Sequence, residues 1–171
     1  MMSQTHIFQA REQGNGDWGY AGLDGQFIIP PKYKKAYDFS ADGAAMVMIG
    51  KKFFVINTRG EVLEAGVDKV IPLINAWSGV ADGFKDGYLL VTQKKKWGCL
   101  GPDAQVAIPL IYDQLTHFDG GYALAELDGA FFVLDKNGSK KPINANDIQA
   151  IKHFSDGLAA VEVKGQQWGF I

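Results

Sequence analysis

The chain has 171 residues, 47% apolar and 21% charged, with a formal net charge of −2. That balance suits one soluble globular domain and excludes a general electrostatic pull toward nucleic acid or anionic membrane. A single cysteine, Cys99, excludes a disulfide framework within the chain, and no apolar run approaches the roughly 18 residues of a membrane span.

The opening residues have no basic stretch followed by an apolar run, so no signal peptide is read and the cytoplasm is the expected location. "HIFQAREQGNGDWGYAGL", ending at Leu23, reads as two strand segments around a glycine turn, a first hairpin. Asp24-Gly25 then turns the chain into "FIIPPKY" (Phe27 to Tyr33). Pro30 and Pro31 cannot donate to a ladder, so this segment should lie at a sheet edge or leave the sheet there. "FSADG" (39–43) is a turn, and "VMIGKKFFVIN" is a second hairpin. A longer stretch comes next, "IPLINAWSGVADGFKDG", which contains Trp77, Asp82, Phe84 and Asp86. "LVTQKKKWGCL" is a third hairpin, "VAIPLIYD" (Val106 to Asp113) a further strand with Pro109, and "LAELDGAFFVLD" a fourth hairpin. The segment 144–154 reads as a link that could hold a short helix capped by Asn146, with Ile148 and Ile151 on one face. "VEVKGQQWGFI" is the fifth hairpin, with Trp168 to Ile171 expected to pair with Ala160–Lys164. Alternation puts Ala159, Val161 and Val163 on the core face of that strand.

The hairpins recur in one frame. Trp18, Phe53, Trp97, Phe131 and Trp168 take the same position, at steps of 35, 44, 34 and 37 residues. After each aromatic come an apolar pair and a turn, then an apolar run, then phenylalanine with a glycine turn, then an alternating strand. The units run approximately 18–52, 53–96, 97–130 and 131–167, with partial units at both ends. On these residues the chain resembles the WG (KWG) repeat family. The resemblance rests on Trp18-Gly19-Tyr20, Trp97-Gly98, Trp168-Gly169-Phe170-Ile171, Ile29-Pro30, Ile108-Pro109 with Tyr112-Asp113, and Phe154-Ser155-Asp156-Gly157-Leu158-Ala159. The frame departs from the family at Phe53 and Phe131, where the aromatic-glycine pair is lost, and in the longer second unit. The expected fold is one all-β domain spanning 1–171. About five β-hairpins, from four degenerate repeats, would form a compact curved or closed array, barrel-like or propeller-like.

The motifs that suggest chemistry have simpler readings. "GNGDWG" (Gly14 to Gly19) matches a dinucleotide fingerprint but joins two strands, where that fingerprint needs a strand and a helix. "HFSD" (His153 to Asp156) places His, Ser and Asp on one turn, which does not aim a base at a nucleophile. His117 and His153 share a slot without a third ligand. "DKNGS" (Asp135 to Ser139) lacks the sixth-position glycine and twelfth-position glutamate of a calcium loop. Lys94–Lys96 and Lys32–Lys35 read as solvated turns or guarded edges. The repeat tryptophans read as core packing, with ligand stacking the alternative, and Cys99 reads as a buried small hydrophobe.

No catalytic residue, metal site or cofactor is expected. The residues expected to contact a partner are Trp77, Asp82, Phe84 and Asp86, because insertions in repeat proteins map to loops on a binding face. The expected function is a non-enzymatic protein-binding module. The family resemblance implies a cytoplasmic immunity or adaptor protein that binds and neutralises a bacterial toxin. The alternative is a small-ligand or glycan-binding β-repeat protein.

Overall fold

The computed structural model describes residues 6–14, 16–67, 69–70, 73–74, 81–82, 84–143, 148–165 and 168–171. These residues form strands and turns, with no helix among them. The first sheet holds β1 (Ile7–Arg11), β2 (Trp18–Gly22) and β3 (Phe27–Tyr33). The second holds β4 (Lys35–Ala36), β5 (Ala44–Ile49), β6 (Lys52–Asn57) and β7 (Val62–Val67). β8 (Lys69–Val70) leads into a small ribbon of β9 (Leu73–Ile74) and β10 (Ala81–Asp82). β11 (Phe84–Lys85), β12 (Tyr88–Gln93), β13 (Lys96–Leu100) and β14 (Val106–Tyr112) complete the third sheet, in which β8 and β11 both pair with β12. The fourth holds β15 (Gln114–Leu115), β16 (Tyr122–Leu127), β17 (Ala130–Asp135) and β18 (Lys140–Pro142). The fifth holds β19 (Ile148–Ser155), β20 (Leu158–Val163) and β21 (Trp168–Phe170). All pairing is antiparallel, and no sheet of the described residues closes into a barrel.

The five hairpins expected from the sequence are β1–β2, β5–β6, β12–β13, β16–β17 and β20–β21. Their turns arise from local chemistry. Asp128-Gly129, which joins β16 to β17, has φ of 51° and 78°. Both central residues lie in the left-handed region, the twist that a two-residue hairpin turn requires.

Successive sheets pack face to face, and side-chain alternation assigns each strand's two sets of residues to two different neighbours. Tyr20, Ile29 and Tyr33 of the first sheet meet Ala45, Val47 and Ile56 of the second. Met46, Val55 and Val67 on the second sheet's other face meet Leu89, Val91 and Leu100 of the third. Leu90, Cys99 and Ile108 of the third meet Ala123, Ala125 and Leu134 of the fourth. Leu124 and Val133 of the fourth meet Phe154, Ala159 and Val161 of the fifth. Each inner sheet is therefore apolar on both faces, and one fully buried leucine contributes about 1.5–3 kcal/mol. Tyr20, Val55, Cys99 and Val133 all point toward the next sheet, as their shared place in the repeat requires.

The pairing explains the tryptophan-glycine motif. In the first sheet Trp18 faces Tyr33 and Tyr20 faces Ile29, so Pro30, Pro31 and Lys32 lie opposite Gly19 alone. In the third, Trp97 faces Tyr112 and Cys99 faces Ile108, so Pro109, Leu110 and Ile111 lie opposite Gly98. The Ile-Pro segment thus stays in the sheet as a bulge on an edge strand, where its missing N–H costs no ladder bond. A Cβ on Gly19 would stand 2.5 Å from the Ile29 carbonyl oxygen, and one on Gly98 would stand 2.6 Å from that of Ile108. Glycine is required there because another backbone occupies the space of a side chain.

One segment left open between link and helix is decided, and one expectation is corrected. From Ile148 onward, the segment that could have held a helix is β19, in register with β20 through Ile148↔Val163 and Ile151↔Val161. A short apolar run is ambiguous between helix and strand, and an open β20 edge decided the outcome. Phe84, expected on a contact loop, is in β11 and buried against Leu89 and Val91. The extra length of the second unit lies between β8 and β11, so it splits the first strand of the third sheet.

Candidate partner-binding surface

Of the four residues expected to contact a partner, Phe84 and Asp86 are engaged within the fold. Trp77 lies outside the described residues. Asp82 ends β10 opposite Leu73. Phe84 is core, as are Phe118 and Phe154 at the same place in later repeats. Asp86 occupies a tight turn at φ 51°. Its Oδ2 accepts a hydrogen bond from the Gly121 N–H at 3.0 Å, which ties the third sheet to the fourth. Two further links cross the same boundary: the Tyr88 hydroxyl donates to the Lys136 carbonyl at 2.7 Å, and Lys85 lies 3.5 Å from Asp119. Asp86 is committed to structure.

The larger apolar exposure lies at the ends of the stack. In the fifth sheet, the face turned away from the fourth presents Leu158, Ala160, Trp168 and Phe170. Phe170 takes the slot of Tyr20 and Cys99; it is 73% exposed where they are 0% and 1%. Leu158 is 55% and Trp168 43% exposed. Lys152 Nζ stands 4.4 Å from the Trp168 ring centroid, a cation over an aromatic face at the rim. At the other end, Phe8 and Phe27 flank Ala21 on the outer face of the first sheet and are both exposed. Glu162 stands on the same face as the exposed fifth-sheet residues, opposite Trp168.

Among the described residues, no strand pairs with the outer edge of β21. β21 is the last strand of its sheet. Ala159 and Ile171 exchange both backbone hydrogen bonds, and Val161↔Gly169 is the next such pair along the ladder. By antiparallel alternation, the N–H and C=O groups of Trp168 and Phe170 therefore point away from β20. The expected pairing of Trp168–Ile171 is present, with partners running from Ala159 to Glu162.

The rest of the molecule offers less chemistry. Cys99 is buried, and desolvation pushes its thiol up to about 12, too high for a nucleophile at neutral pH. Burial raises Tyr20 as well, although its hydroxyl donates to the Tyr37 carbonyl at 2.6 Å. Among the described residues, no three His, Cys, Asp or Glu side chains converge on one point. Trp18 and Trp97 are half-buried against the cores that their own sheets build, with Arg11 stacked 5.6 Å from the Trp18 ring. A cleft of about 520 Å³ opens between the first two sheets beside Ile7, Ile28, Phe39 and Thr58.

Sequence reasoning missed the fifth-sheet face, although a signal was present. Phe170 stands in the slot of Tyr20 and Cys99, and the fifth sheet has three strands among the described residues.

Comparison with known proteins agrees with the repeat. The family model described as "WG containing repeat" matches residues 18–53 and 97–129, the two segments that hold the tryptophan-glycine and Ile-Pro bulges. No curated protein matches the sequence. Among solved structures, virginiamycin B lyase from Staphylococcus aureus is similar over 100% of this chain and 68% of its own, at 12% identity and a TM-score of 0.44.

Proposed function

We propose that this chain, whose residues 18–53 and 97–129 match the WG-repeat model, is a non-enzymatic protein-binding module that docks a partner on the outer face of its fifth sheet. The observation that carries this reading is Phe170. Its slot is fully buried in the first and third sheets and 73% exposed here, beside Leu158 and Trp168. Covering each such side chain would contribute about 1.5–3 kcal/mol to a complex. Exposed aromatics with a cation at the rim resemble the anchors of protein interfaces. In this reading the sheets form a curved stack whose ends stay open for a partner. The narrower role, a cytoplasmic immunity or adaptor protein that neutralises a bacterial toxin, rests on the family resemblance alone. A small-ligand or glycan site is the alternative and would use the cleft beside Phe39.

The test is affinity capture from native lysate with the wild-type chain and Phe170→Asp. The reading expects a specific protein retained by the wild type and lost with the variant, at an unchanged melting temperature. Equal retention by both would reject this face.

A further inference from the structure

We propose that the hairpin-turn end of the first three sheets is a second docking surface, which receives an extended acidic segment of a partner protein. It is separate from the fifth-sheet face and does not depend on it.

The net charge of −2 hides a division between the two ends of the stack. Each sheet hands the chain to the next at one end. Tyr33 faces Trp18 at the start of β2, and the Lys34 N–H then donates to the Met48 carbonyl, just before the β5–β6 turn. Val67 faces Phe53, just after that turn, and Lys69 then faces Thr92, just before the β12–β13 turn. Tyr112 faces Trp97, and the Asp113 N–H then donates to the Glu126 carbonyl near the β16–β17 turn. The turns of the first four hairpins therefore share one end of the stack.

Lysines gather at that end. Lys34 and Lys35 lie at the corner between the first two sheets, Lys51 and Lys52 at the turn of the second hairpin, and Lys94 and Lys95 in the turn of the third. All six are exposed. Glu12, Asp17 and Asp113 stand beside them, and the two aspartates are already paired with Lys34 and Lys96. Lys35, Lys51 and Lys95 have no ion-pair partner among the described residues. The run ends at the fourth hairpin, whose turn carries Asp128.

The far end is acidic, and turn chemistry is the cause. Asp24 and Asp103 accept the N–H groups of Gln26 and Gln105, and Asp135 accepts those of Asn137 and Ser139. Such side-chain bonds close tight turns. Turn chemistry does not call for lysine. Lys94 and Lys95 hold φ of 49° and 66°, in the region that other hairpin turns give to Gly50, Gly129 and Gly165. That region is strained for a residue with a Cβ, and lysine lacks the short polar group with which Asp or Asn offsets the strain. Two neighbouring lysines held there point to a use for their charge.

Charge and spacing define the occupant. Packed sheets stand about 10 Å apart, so successive hairpin turns set their lysines at about that interval. An extended chain rises about 3.3 Å per residue, so an acid at every third position meets one turn after another. A nucleic acid fits less well. Phosphates favour the guanidinium fork, and both arginines of the chain are engaged, Arg11 with Trp18 and the Gly14 carbonyl, Arg59 with Glu61. A second copy fits less well too, because its acids are committed: Asp24, Asp103 and Asp135 to turns, Glu61 to Arg59, Asp119 to Lys85.

The experiment titrates a fluorescein-labelled peptide with glutamate at every third position into the full chain and reads anisotropy. Saturable binding is expected at about 0.01 M ionic strength, weakening at about 0.15 M as the Debye length falls from about 30 Å to about 8 Å. Lys51→Glu combined with Lys95→Glu should weaken binding at least about tenfold, at an unchanged melting temperature. Lys136→Glu combined with Lys140→Glu makes the same charge change at the far end and should leave binding unchanged. Four results would each overturn the proposal: no binding at low ionic strength, equal loss from the two double variants, equal binding of a peptide with contiguous glutamates, or tighter binding of a DNA strand of equal charge. Salt-sensitive self-association of the chain would overturn it as well. Phe170→Asp should bind the peptide as the wild type does, so failure of this surface leaves the fifth-sheet reading standing, and failure of that face leaves this one.

Discussion

Trp97-Gly98 and Trp168-Gly169 are the same dipeptide in the same place in a hairpin, yet they live in different environments. Gly98 is pressed by the backbone of Ile108 and Pro109, and Cys99 beside it is sealed between two sheets. Gly169 has empty space around its Cβ position, and Phe170 beside it faces outward. The difference does not lie in the hairpin. It comes from the strand and sheet added beyond the hairpin: an Ile-Pro strand and a further sheet cover Gly98 and Cys99, and neither covers Gly169 and Phe170. A repeat unit of this kind is completed by its neighbour, and among the described residues no sheet covers the outer face of the fifth.

The sharpest way to break the comparison is a pair of leucines. Leu124 is fully buried between the fourth and fifth sheets, while Leu158 lies on the open face. Leu124→Ala should cost about 2–5 kcal/mol in a denaturant titration. Leu158→Ala should cost less than about 1 kcal/mol. Equal losses would mean that the open face is covered in solution. Next is deletion of Trp168–Ile171, which removes the strand paired to Ala159–Glu162. A lowered melting point is expected, at roughly 2–4 °C per kcal/mol for a chain of this size. An unshifted transition would show that β21 is not part of the cooperative unit. The two glycines come third. Gly98→Ala forces a Cβ against backbone and should destabilise by about 1–3 kcal/mol, whereas Gly169→Ala should stay within about 0.5 kcal/mol of wild type.

The smallest effect concerns charge around the filled bulge. Lys96, just before Trp97, donates to the carboxylate of Asp113, just after Tyr112. In the first sheet the polarity is reversed, with Lys34 Nζ 2.8 Å from Asp17. The Lys96 hydrogen bond, and after it the Asp128 N–H, holds Asp113 below the ordinary 3.8. A carboxylate held lower in the folded state contributes stability above the unfolded value, and that contribution is lost as pH falls through the folded one. Asp113→Asn should therefore narrow the stability difference between pH 6 and pH 3, slightly, because the pair is solvent-exposed. An unaltered acid limb would show that the pair holds nothing.

Much of the molecule was legible in the order of residues. Strict alternation in "LAAVEV" placed Ala159 and Val161 in the core, and the aromatic-glycine frame located all five hairpins. The residues around Phe84 were misjudged because an insertion in the frame suggested a loop. Its place before a glycine turn, shared with Phe118 and Phe154, was the better guide. The stretch 144–154 gave no clear period, so only an available edge on β20 could decide from Ile148 onward.

By itself, the chain's pattern determined the all-β class, the hairpins and the face each side chain takes, because alternation and turn chemistry act within a few neighbouring residues. Only the tertiary structure decided why glycine comes after tryptophan, and which tryptophan-glycine pair is left open. Both depend on whether a second backbone, distant in sequence, arrives at a space too small for a side chain.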